Sequence, residues 1–219
     1  MMVHMGDADG YLGGVSHHYP DIVKPCLQII GPEADSHRIV GMYMMTVNGE
    51  LMFIGDATIN IYPDSRTLAE IAVQTAKVAR RFGVKPKVAM LSFSNFGTSS
   101  ELRTDRLEEA ISIARELDPE LIIDGPMQAD TALVPEIQKD YPFMSFEGPA
   151  NILICPNLAS ANIAYKLLQR VAGAEMTGPI LEGLSRPAHV LQRGDSVRDV
   201  VHMAAICAVD AQRHHWQKL

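Results

Sequence analysis

The chain has 219 residues, a length that fits one large domain or two small ones. Lys and Arg number 19 against 26 Asp and Glu, so the net charge is −7 with neutral histidines, which disfavours non-specific binding to nucleic acid. Hydrophobic residues make up 47% and charged residues 21%, which is the balance of a globular protein and not of a disordered one.

The cysteines and the apolar segments predict the compartment. Cys26, Cys155 and Cys207 are odd in number, widely spaced and set in apolar surroundings, which argues against a disulfide framework or a zinc site. Apolar runs such as 151–155 are too short to cross a bilayer, and the first residues lack the basic and apolar regions of a signal peptide. We therefore expect a soluble cytoplasmic protein that does not bind membranes.

Apolar periodicity alternates between the strand and helix types along the chain. Residues 40–47 and 50–54 are predicted as an antiparallel hairpin around the type I′ turn signal Asn48-Gly49. The next predicted element is a helix with Asp64 or Ser65 as its N-cap, which ends at Gly83.

The remaining elements continue this alternation of strands and helices. In chain order they are a strand at 87–93, a helix near 104–117, a strand at 121–123 that ends at Asp124-Gly-Pro126, a strand at 151–155, a helix at 159–171, a crossing segment at 178–183, an extended piece at 188–191, a helix from about 196 to 212 and a frayed tail from 213. The alternation predicts a layered α/β fold with a mainly parallel sheet, to which the hairpin adds an antiparallel element.

The first candidate site is the loop at 92–100, because ligands of open α/β sheets bind where strands end at their carboxyl side. Ser92, Ser94 and Gly97 give it the small residues and hydroxyls that let backbone amides approach an anion. The alternative is an ordinary strand-to-helix connection, since neither a P-loop nor a GxGxxG pattern is present. The residues themselves leave both interpretations open.

The second candidate site is the segment at 191–199. Arg193 could meet an anionic substrate, while Asp199, near the end of the first helical turn, could face the same cleft as a base or orienting group. In the alternative, which composition favours, Asp195 or Ser196 caps the helix and Asp199 interacts with its dipole.

Other residue patterns do not indicate a site of their own. His17 and His18 are adjacent and point in different directions, so they are a poor metal chelate, although a histidine in this loop could face a ligand. The carboxylates of Asp7 and Asp9 lack the further ligands of a calcium loop. The methionines of the hairpin are predicted to fill the core.

Seven stretches, taken together and in order, resemble the phosphate acetyl/butyryl transferase family. They are Gly6-Asp-Ala-Asp-Gly10, Pro25-Cys-Leu-Gln-Ile-Ile30, Val88-Ala-Met-Leu-Ser-Phe-Ser94, Asp124-Gly-Pro-Met-Gln-Ala-Asp130, Asn162-Ile-Ala-Tyr-Lys166, Gly178-Pro-Ile-Leu-Glu-Gly183, and Arg193-Gly194 with Asp199. In finer detail, His17-His-Tyr-Pro20 and the segments at 187–192 and 202–205 look most like the transferase-like C-terminal domain of bacterial NADP-dependent malic enzymes.

The resemblance implies a three-layer α/β/α fold of the phosphotransacetylase type, related to isocitrate and isopropylmalate dehydrogenases. It implies two subdomains: a partial domain I at 1–30 and 186–219, incomplete at its N-terminus, and a domain II at 31–185. It also implies an acyl-CoA and phosphate cleft between them. In the transferases, CoA thiolate attacks the carbonyl of acetyl phosphate, with an Asp at the position of Asp199 as base and an Arg at that of Arg193 to stabilise charge.

We expect the cleft to bind CoA or acetyl-CoA without a metal. Gln192, Arg193 and Asp199 occupy the catalytic positions. The residues expected to contact the ligand are Lys24, Ser16, His17, Ser92, Ser94, Gly97, Gln128 and Asn162.

Three departures from the family pattern influence the functional prediction. Gln192 stands where the family usually has Ser, Lys24 stands where it has Arg, and the N-terminal part of domain I is absent, which suggests a piece of a longer polypeptide. These departures favour a regulatory, acetyl-CoA-responsive domain of a malic enzyme that follows upstream malic enzyme domains and has little transferase activity. The alternative is an active phosphate acetyltransferase or butyryltransferase, which intact Arg193 and Asp199 keep open.

The sequence also predicts a homo-oligomer formed through domain II, as a two-fold dimer or larger. The physical motive is the Met-rich hairpin at 42–52, which offers adaptable apolar surface to a partner. The alternative is that this hairpin belongs to the internal core.

Overall fold

The computed structural model describes residues 1–34, 36, 38–47, 49–97 and 105–216, with side chains up to residue 213. Within these ranges the strands are β1 (Tyr11–Gly13), β2 (Val40–Val47), β3 (Glu50–Gly55), β4 (Val88–Leu91), β5 (Ile123–Met127), β6 (Ile152–Ile154), β7 (Glu175–Glu182) and β8 (Ala188–Val190). The helices are α1 (Met2–Met5), α2 (Tyr19–Ile29), α3 (Ser65–Arg81), α4 (Asp105–Leu117), α5 (Ala129–Leu133), α6 (Pro135–Gln138), α7 (Leu158–Val171) and α8 (Val197–Trp216).

Six of these strands form one mixed sheet with the order β5-β4-β6-β3-β2-β7. Strands β5, β4, β6 and β3 are parallel, whereas β2 is antiparallel to both β3 and β7. Helices α3 and α4 cover one face of this sheet, and α5 and α7 cover the other. The predicted layered α/β fold, mainly parallel with an antiparallel hairpin, is therefore confirmed.

The remaining two strands, β1 and β8, form a separate parallel pair from opposite ends of the chain. The core nevertheless continues between the sheets, because Leu191 after β8 and Met203 and Ile206 of α8 belong to the same apolar cluster as α3 and α4. The predicted division into 1–30 with 186–219 and 31–185 remains a prediction.

Local sequence signals explain most of the elements. Asp64 is the N-cap of α3 and accepts a hydrogen bond from the Thr67 backbone N–H at 2.8 Å, as one of the two predicted caps would. Asn157 caps α7 in the same way through the Ser160 backbone N–H at 2.9 Å. Val47 lies opposite Glu50 across the predicted hairpin, whose turn includes Asn48, outside the described residues.

Two strands differ from the sequence prediction at Gly-Pro pairs. Strand β5 does not end at Asp124-Gly-Pro126 but continues through it, and the segment at 178–183 lies largely within β7 and is not an irregular crossing. Both strands lie at an edge of the sheet, where a proline without an N–H is tolerated. Gly and Pro therefore gave a misleading break signal in both places.

The short helices α1, α5 and α6 are absent from the prediction, and two longer helices also differ from it. No helix was predicted over Tyr19–Ile29, where α2 forms with Pro20 in its first turn and Pro25 inside it. Helix α8 continues to Trp216, so the tail from 213 is not frayed at its start, and its last three residues lie outside the described ranges.

The methionines of the hairpin fill the core, as the alternative interpretation predicted. Met42 is 0% exposed and Met45 is 2% exposed, on opposite faces of β2, while Met44 and Met52 are partly buried. The apolar surface invoked as the motive for a dimer is therefore largely internal.

A buried ionic network connects the two sheets. The Arg81 guanidinium of α3 donates to both Glu182 carboxylate oxygens at the end of β7 and, at 3.3 Å, to Asp210 Oδ1 of α8. Asp210 Oδ2 lies 3.1 Å from Nε2 of the fully buried His189 of β8. The Leu181 backbone N–H donates to Nδ1 of His189, so Nε2 carries the ring proton and donates to Asp210.

We expect Met42→Ala to lower the free energy of unfolding by about 2–5 kcal/mol, because it removes a fully buried side chain and leaves a cavity. Urea unfolding of Met5→Ala is the matched control, since Met5 is 68% exposed and its truncation should cost less than about 0.5 kcal/mol. Equal effects of the two substitutions would contradict the placement of the hairpin in the core.

We expect Asp210→Asn to change the dependence of stability on pH. Burial alone would raise the pKa of Asp210, but the His189 hydrogen bond and the charges of Arg81 and Arg213 outweigh it, so the pKa lies below 3.8. The stabilisation from the carboxylate is thus present above about pH 4 and is lost as pH falls through the folded-state pKa. The difference in unfolding free energy between wild type and variant should shrink on acidification. Asp140→Asn, at an exposed position, should show no such trend.

Candidate active site

A tight turn presents Arg193 at the end of β8. The Gln192 backbone N–H donates to Asp195 Oδ2 at 2.7 Å, and the Asp195 N–H donates back to the Gln192 carbonyl at 3.2 Å. Gly194, at the tip, has a φ of +93°, which glycine adopts without strain. The turn is closed by its own hydrogen bonds, and the Arg193 side chain is exposed beside it.

The parallel pairing of β1 and β8 brings four of the predicted site residues together. Because carboxyl ends of parallel strands meet at one edge, the residues after Gly13 lie beside those after Val190. Arg193 Nη2 donates to the Ser16 carbonyl at 3.4 Å, and Ser16 Oγ lies 3.1 Å from His17 Nδ1. Ser16, His17, Gln192 and Arg193 thus form one cluster, as expected of a site.

Asp199 lies in the first turn of α8 and forms a capping box with Ser196. Asp199 Oδ2 accepts from the Ser196 backbone N–H at 2.8 Å and from Ser196 Oγ at 2.7 Å. Its other oxygen, Oδ1, has no hydrogen-bond partner among the described residues. Oδ2 thus caps the helix, as the structural alternative predicts, and the role of Asp199 as a base stays a prediction.

The side chain of Asp199 borders a cavity of about 480 Å³ beside the edge strand β7. His202, one turn later on α8, and Thr177 of β7 border the same cavity, whose walls also include Met44 and Phe82. Burial raises the pKa of Asp195, the Gln192 N–H opposes this, and the carboxylate of Asp199 raises it further. The two carboxylates therefore interact electrostatically at the start of α8.

Two tyrosines missed by the sequence reasoning form the wall behind the turn. Tyr43 of β2 and Tyr165 of α7 are 3% and 2% exposed, and their rings stack with centroids 4.2 Å apart. The Gln192 side-chain amide donates to the Tyr43 hydroxyl. Burial, and next the nearby Tyr165, raise the pKa of Tyr43, so this hydroxyl keeps its proton. Tyr165 lies in one of the family-like stretches, but no local pattern marks Tyr43.

A second group of predicted residues lies elsewhere on the sheet. The loop after β4 carries Ser92, Ser94 and Gly97, and Gln128 after β5 binds it through the Phe93 carbonyl at 2.7 Å. Ser94 is 8% exposed, and its hydroxyl has no partner within the described ranges. Strand β4 is three positions from β2, or ~14 Å across the sheet, and no hydrogen bond between described residues joins this group to Arg193. The expected loop beyond Gly97 lies outside the described residues.

The last two predicted ligand residues are separate from both groups. Asn162, on α7, donates to the Ala57 carbonyl at 3.4 Å, near the carboxyl end of β3. Lys24 projects from α2 as an exposed side chain without an ion pair among the described residues.

The structure assigns no metal site and no membrane segment in the part of the chain that it describes. No group of three or more His, Cys, Asp or Glu side chains in these ranges could hold a metal ion. Likewise, none of the described helices combines the length and apolarity that crossing a membrane requires. Cys26, Cys155 and Cys207 are buried and free.

Comparison with known families decides the relationship. The family model described as phosphate acetyl/butaryl transferase matches residues 1–208. The chain belongs to this family. The phosphate acetyltransferase of Bacillus subtilis (strain 168) is 41% identical over 212 residues, covering 96% of this chain and 66% of that protein.

Solved structures of the transferase family share the fold. A phosphotransacetylase from Streptococcus pyogenes has a TM-score of 0.92 and 41% identity, covering 97% of this chain and 65% of its own. A branched-chain phosphotransacylase from Enterococcus faecalis V583 has a TM-score of 0.76 and 25% identity, over 97% and 76% of the chains. These matches confirm the three-layer α/β/α class. The chain spans just under two thirds of the length of the Bacillus subtilis and Streptococcus pyogenes proteins.

The predicted malic enzyme domain is wrong. Proteins 41% identical over 96% of this chain are phosphate acetyltransferases in their own right. The expectations of an oxidoreductase activity, an NADP cofactor and upstream malic enzyme domains depended on that prediction and are withdrawn with it. The motifs at 17–20 and 187–192 are local details within a transferase sequence and do not indicate a different parent protein.

Proposed function

We propose that this chain carries the reaction centre of a phosphate acyltransferase, which exchanges an acetyl group between phosphate and CoA. The observation that carries the proposal is that Arg193, exposed on a closed turn, is followed six residues later by Asp199, whose Oδ1 accepts no hydrogen bond from the described residues. An anionic acyl phosphate needs a cation, and a thiol needs a base. Membership of the transferase family supports this assignment.

In the proposed reaction the CoA sulfur attacks the carbonyl carbon of acetyl phosphate. The S–C bond forms, the thiol proton moves to Asp199 Oδ1, the C–O bond to phosphate breaks, and the proton leaves with the phosphate. A thiol is a much weaker acid than a carboxylic acid, so the charge that develops during the reaction must be stabilised. Arg193 supplies this stabilisation, because its guanidinium matches phosphate and carbonyl oxygens.

The other predicted ligand residues take part in the proposal as binding groups. Ser16 and His17 lie next to Arg193, and we assign them to binding the same acyl phosphate. Gln128, with Ser92, Ser94 and Gly97, makes a second candidate contact at the carboxyl ends of β4 and β5, while Asn162 and Lys24 remain separate candidates for the CoA moiety. The Ser94 hydroxyl, buried without a partner, is the group there that most needs a ligand or a water.

We expect Arg193→Gln to lower kcat by about 10²–10³, the usual effect of removing one charge-stabilising donor. Asp199→Asn should also lower kcat, because the amide keeps the capping geometry but cannot take the proton. Thioester absorbance measures turnover, and Arg170→Gln, at an exposed arginine of α7, is the control that should stay at wild-type rate.

The wild-type chain should turn over at about ten per second, the ordinary enzyme range. It should also release heat on titration with CoA. If the chain shows no turnover, the proposed acyl transfer is wrong. If titration with CoA also releases no heat, the proposed CoA binding is wrong too.

We also propose a two-fold dimer formed through α7. Ile163, Leu167 and Val171 form an apolar stripe at successive four-residue intervals and are 60%, 56% and 82% exposed. A stripe of this spacing suits the same helix of a second copy, which two-fold symmetry would supply. This surface replaces the buried hairpin as the physical reason for the predicted oligomer.

Light scattering of the wild type should give a mass of about 48 kDa, twice the 24.0 kDa of one chain. Leu167→Glu should restore the single-chain mass, since it places a charge in the apolar stripe. Leu117→Glu, at the 41% exposed end of α4, is the matched control and should leave the mass unchanged. A wild type at 24 kDa at all concentrations would refute the dimer.

A further inference from the structure

The Gln192–Tyr43 hydrogen bond connects the Arg193 turn to the six-stranded sheet. The two residues are 149 positions apart in the chain. Within the described ranges, it is the only hydrogen bond from residues 192–195 to that sheet, since the others join the turn to itself or to Ser16. This bond therefore adds a direct connection from the turn to the large sheet, beside the Arg198–Glu175 ion pair that joins the first turn of α8 to β7.

Tyr43 is a rigid anchor for this bond. Tyr43 pairs with Ile54 of β3, and on the β7 side it lies where the register shifts between Met42 and Met44, so its backbone is held mainly by β3. The Tyr43 ring is 3% exposed and stacks on Tyr165 with an interplanar angle of 22°. The hydroxyl therefore has a fixed position, and removing it leaves the ring held by its packing.

The turn itself has little else to orient it. Arg193 is exposed, and its contact with the Ser16 carbonyl, at 3.4 Å, is long for a hydrogen bond. The Gln192 backbone is already used inside the turn, so its side chain is the part that can reach outward. Since a displacement of about 1 Å can cost a hundredfold in rate, the position of the guanidinium is worth fixing.

We propose that Tyr43 is a positioning residue for the acyl transfer, because its hydroxyl holds Gln192 and thereby the turn that presents Arg193 to the substrate. This inference rests on the proposed function, in which Arg193 stabilises the developing charge. In this proposal Gln192 connects the turn to the sheet. It does not need to contact the reacting atoms.

The test is a set of substitutions read by steady-state kinetics. Tyr43→Phe removes the hydroxyl and keeps the stacked ring, and Gln192→Leu removes the donor. Each should lower kcat about tenfold, the upper range for one hydrogen bond, and leave the KM for CoA within about twofold. The double variant should be no worse than either single one, because both remove the same bond.

Two further variants separate positioning from general loosening. In an Arg193→Gln background, Tyr43→Phe should cause no additional loss of kcat, since there is no guanidinium left to position. Tyr19→Phe is the matched control, because the Tyr19 hydroxyl donates to Thr58 at 3.1 Å and does not contact the turn. It should keep wild-type kcat. An unchanged kcat in Tyr43→Phe, an equal loss in Tyr19→Phe, or a persistent loss in the Arg193→Gln background would each overturn the proposal.

Calorimetry with inorganic phosphate gives a readout that does not need turnover. Tyr43→Phe should weaken phosphate binding about threefold, and Tyr19→Phe should not. A wild type that binds phosphate without turnover would count against the proposed function alone, and the phosphate affinities would then decide on Tyr43. A wild type that does neither overturns both. Thermal melts of all variants show whether a loss reflects unfolding.

Discussion

The contact that fixes the two sheets relative to each other is the ionic network around Arg81. The Arg81 side chain is 14% exposed, and its guanidinium contacts carboxylates from two elements, Glu182 of β7 and Asp210 of α8. Buried ion pairs often contribute little net stability, because desolvation offsets attraction, but breaking one partner is costly. The network thus acts mainly on geometry, because it holds α8 in its C-terminal half. The first turn of α8 lies beside β7, where Arg198 binds Glu175.

The site follows from that arrangement in two steps. His189 lies on β8 four residues before Arg193 and is hydrogen-bonded to Asp210. The strand that leads into the turn is therefore fixed to α8. Parallel pairing then places the end of β1, with Ser16, beside the same turn. A substrate anion would thus meet groups from residues 16 and 193, which are remote in sequence and adjacent only through a two-stranded sheet.

Strong local patterns allowed much of the fold to be predicted. The amphipathic face and Asp64 cap of α3, the hairpin β2–β3 and the strand–helix alternation are all local signals, and the structure has each of them. Gly125-Pro126 and Gly178-Pro179 failed as break signals because whether a proline is tolerated depends on the strand's place in the sheet, which is not a local property. The ends of β5 and β7 were misplaced for this reason.

Only part of the candidate site could be predicted from the sequence. Arg193 and Asp199 follow from their position around a helix start, but Tyr43 depends on a contact across most of the chain. The malic enzyme prediction failed for a related reason: short motifs resembled that domain, whereas the whole chain matches free-standing transferases. The hydrogen-bond partner of the Gln192 side chain, Tyr43, could not be predicted because it lies 149 positions away in the chain.

The two edge prolines have a consequence for how this molecule can associate. A strand from another molecule extends a sheet by pairing with a free row of N–H and C=O groups. Pro126 in β5 and Pro179 in β7 have no N–H, so each outer strand has one donor fewer for pairing with another strand. Prolines in edge strands are one way in which proteins limit pairing between molecules, and both ends of this sheet carry one.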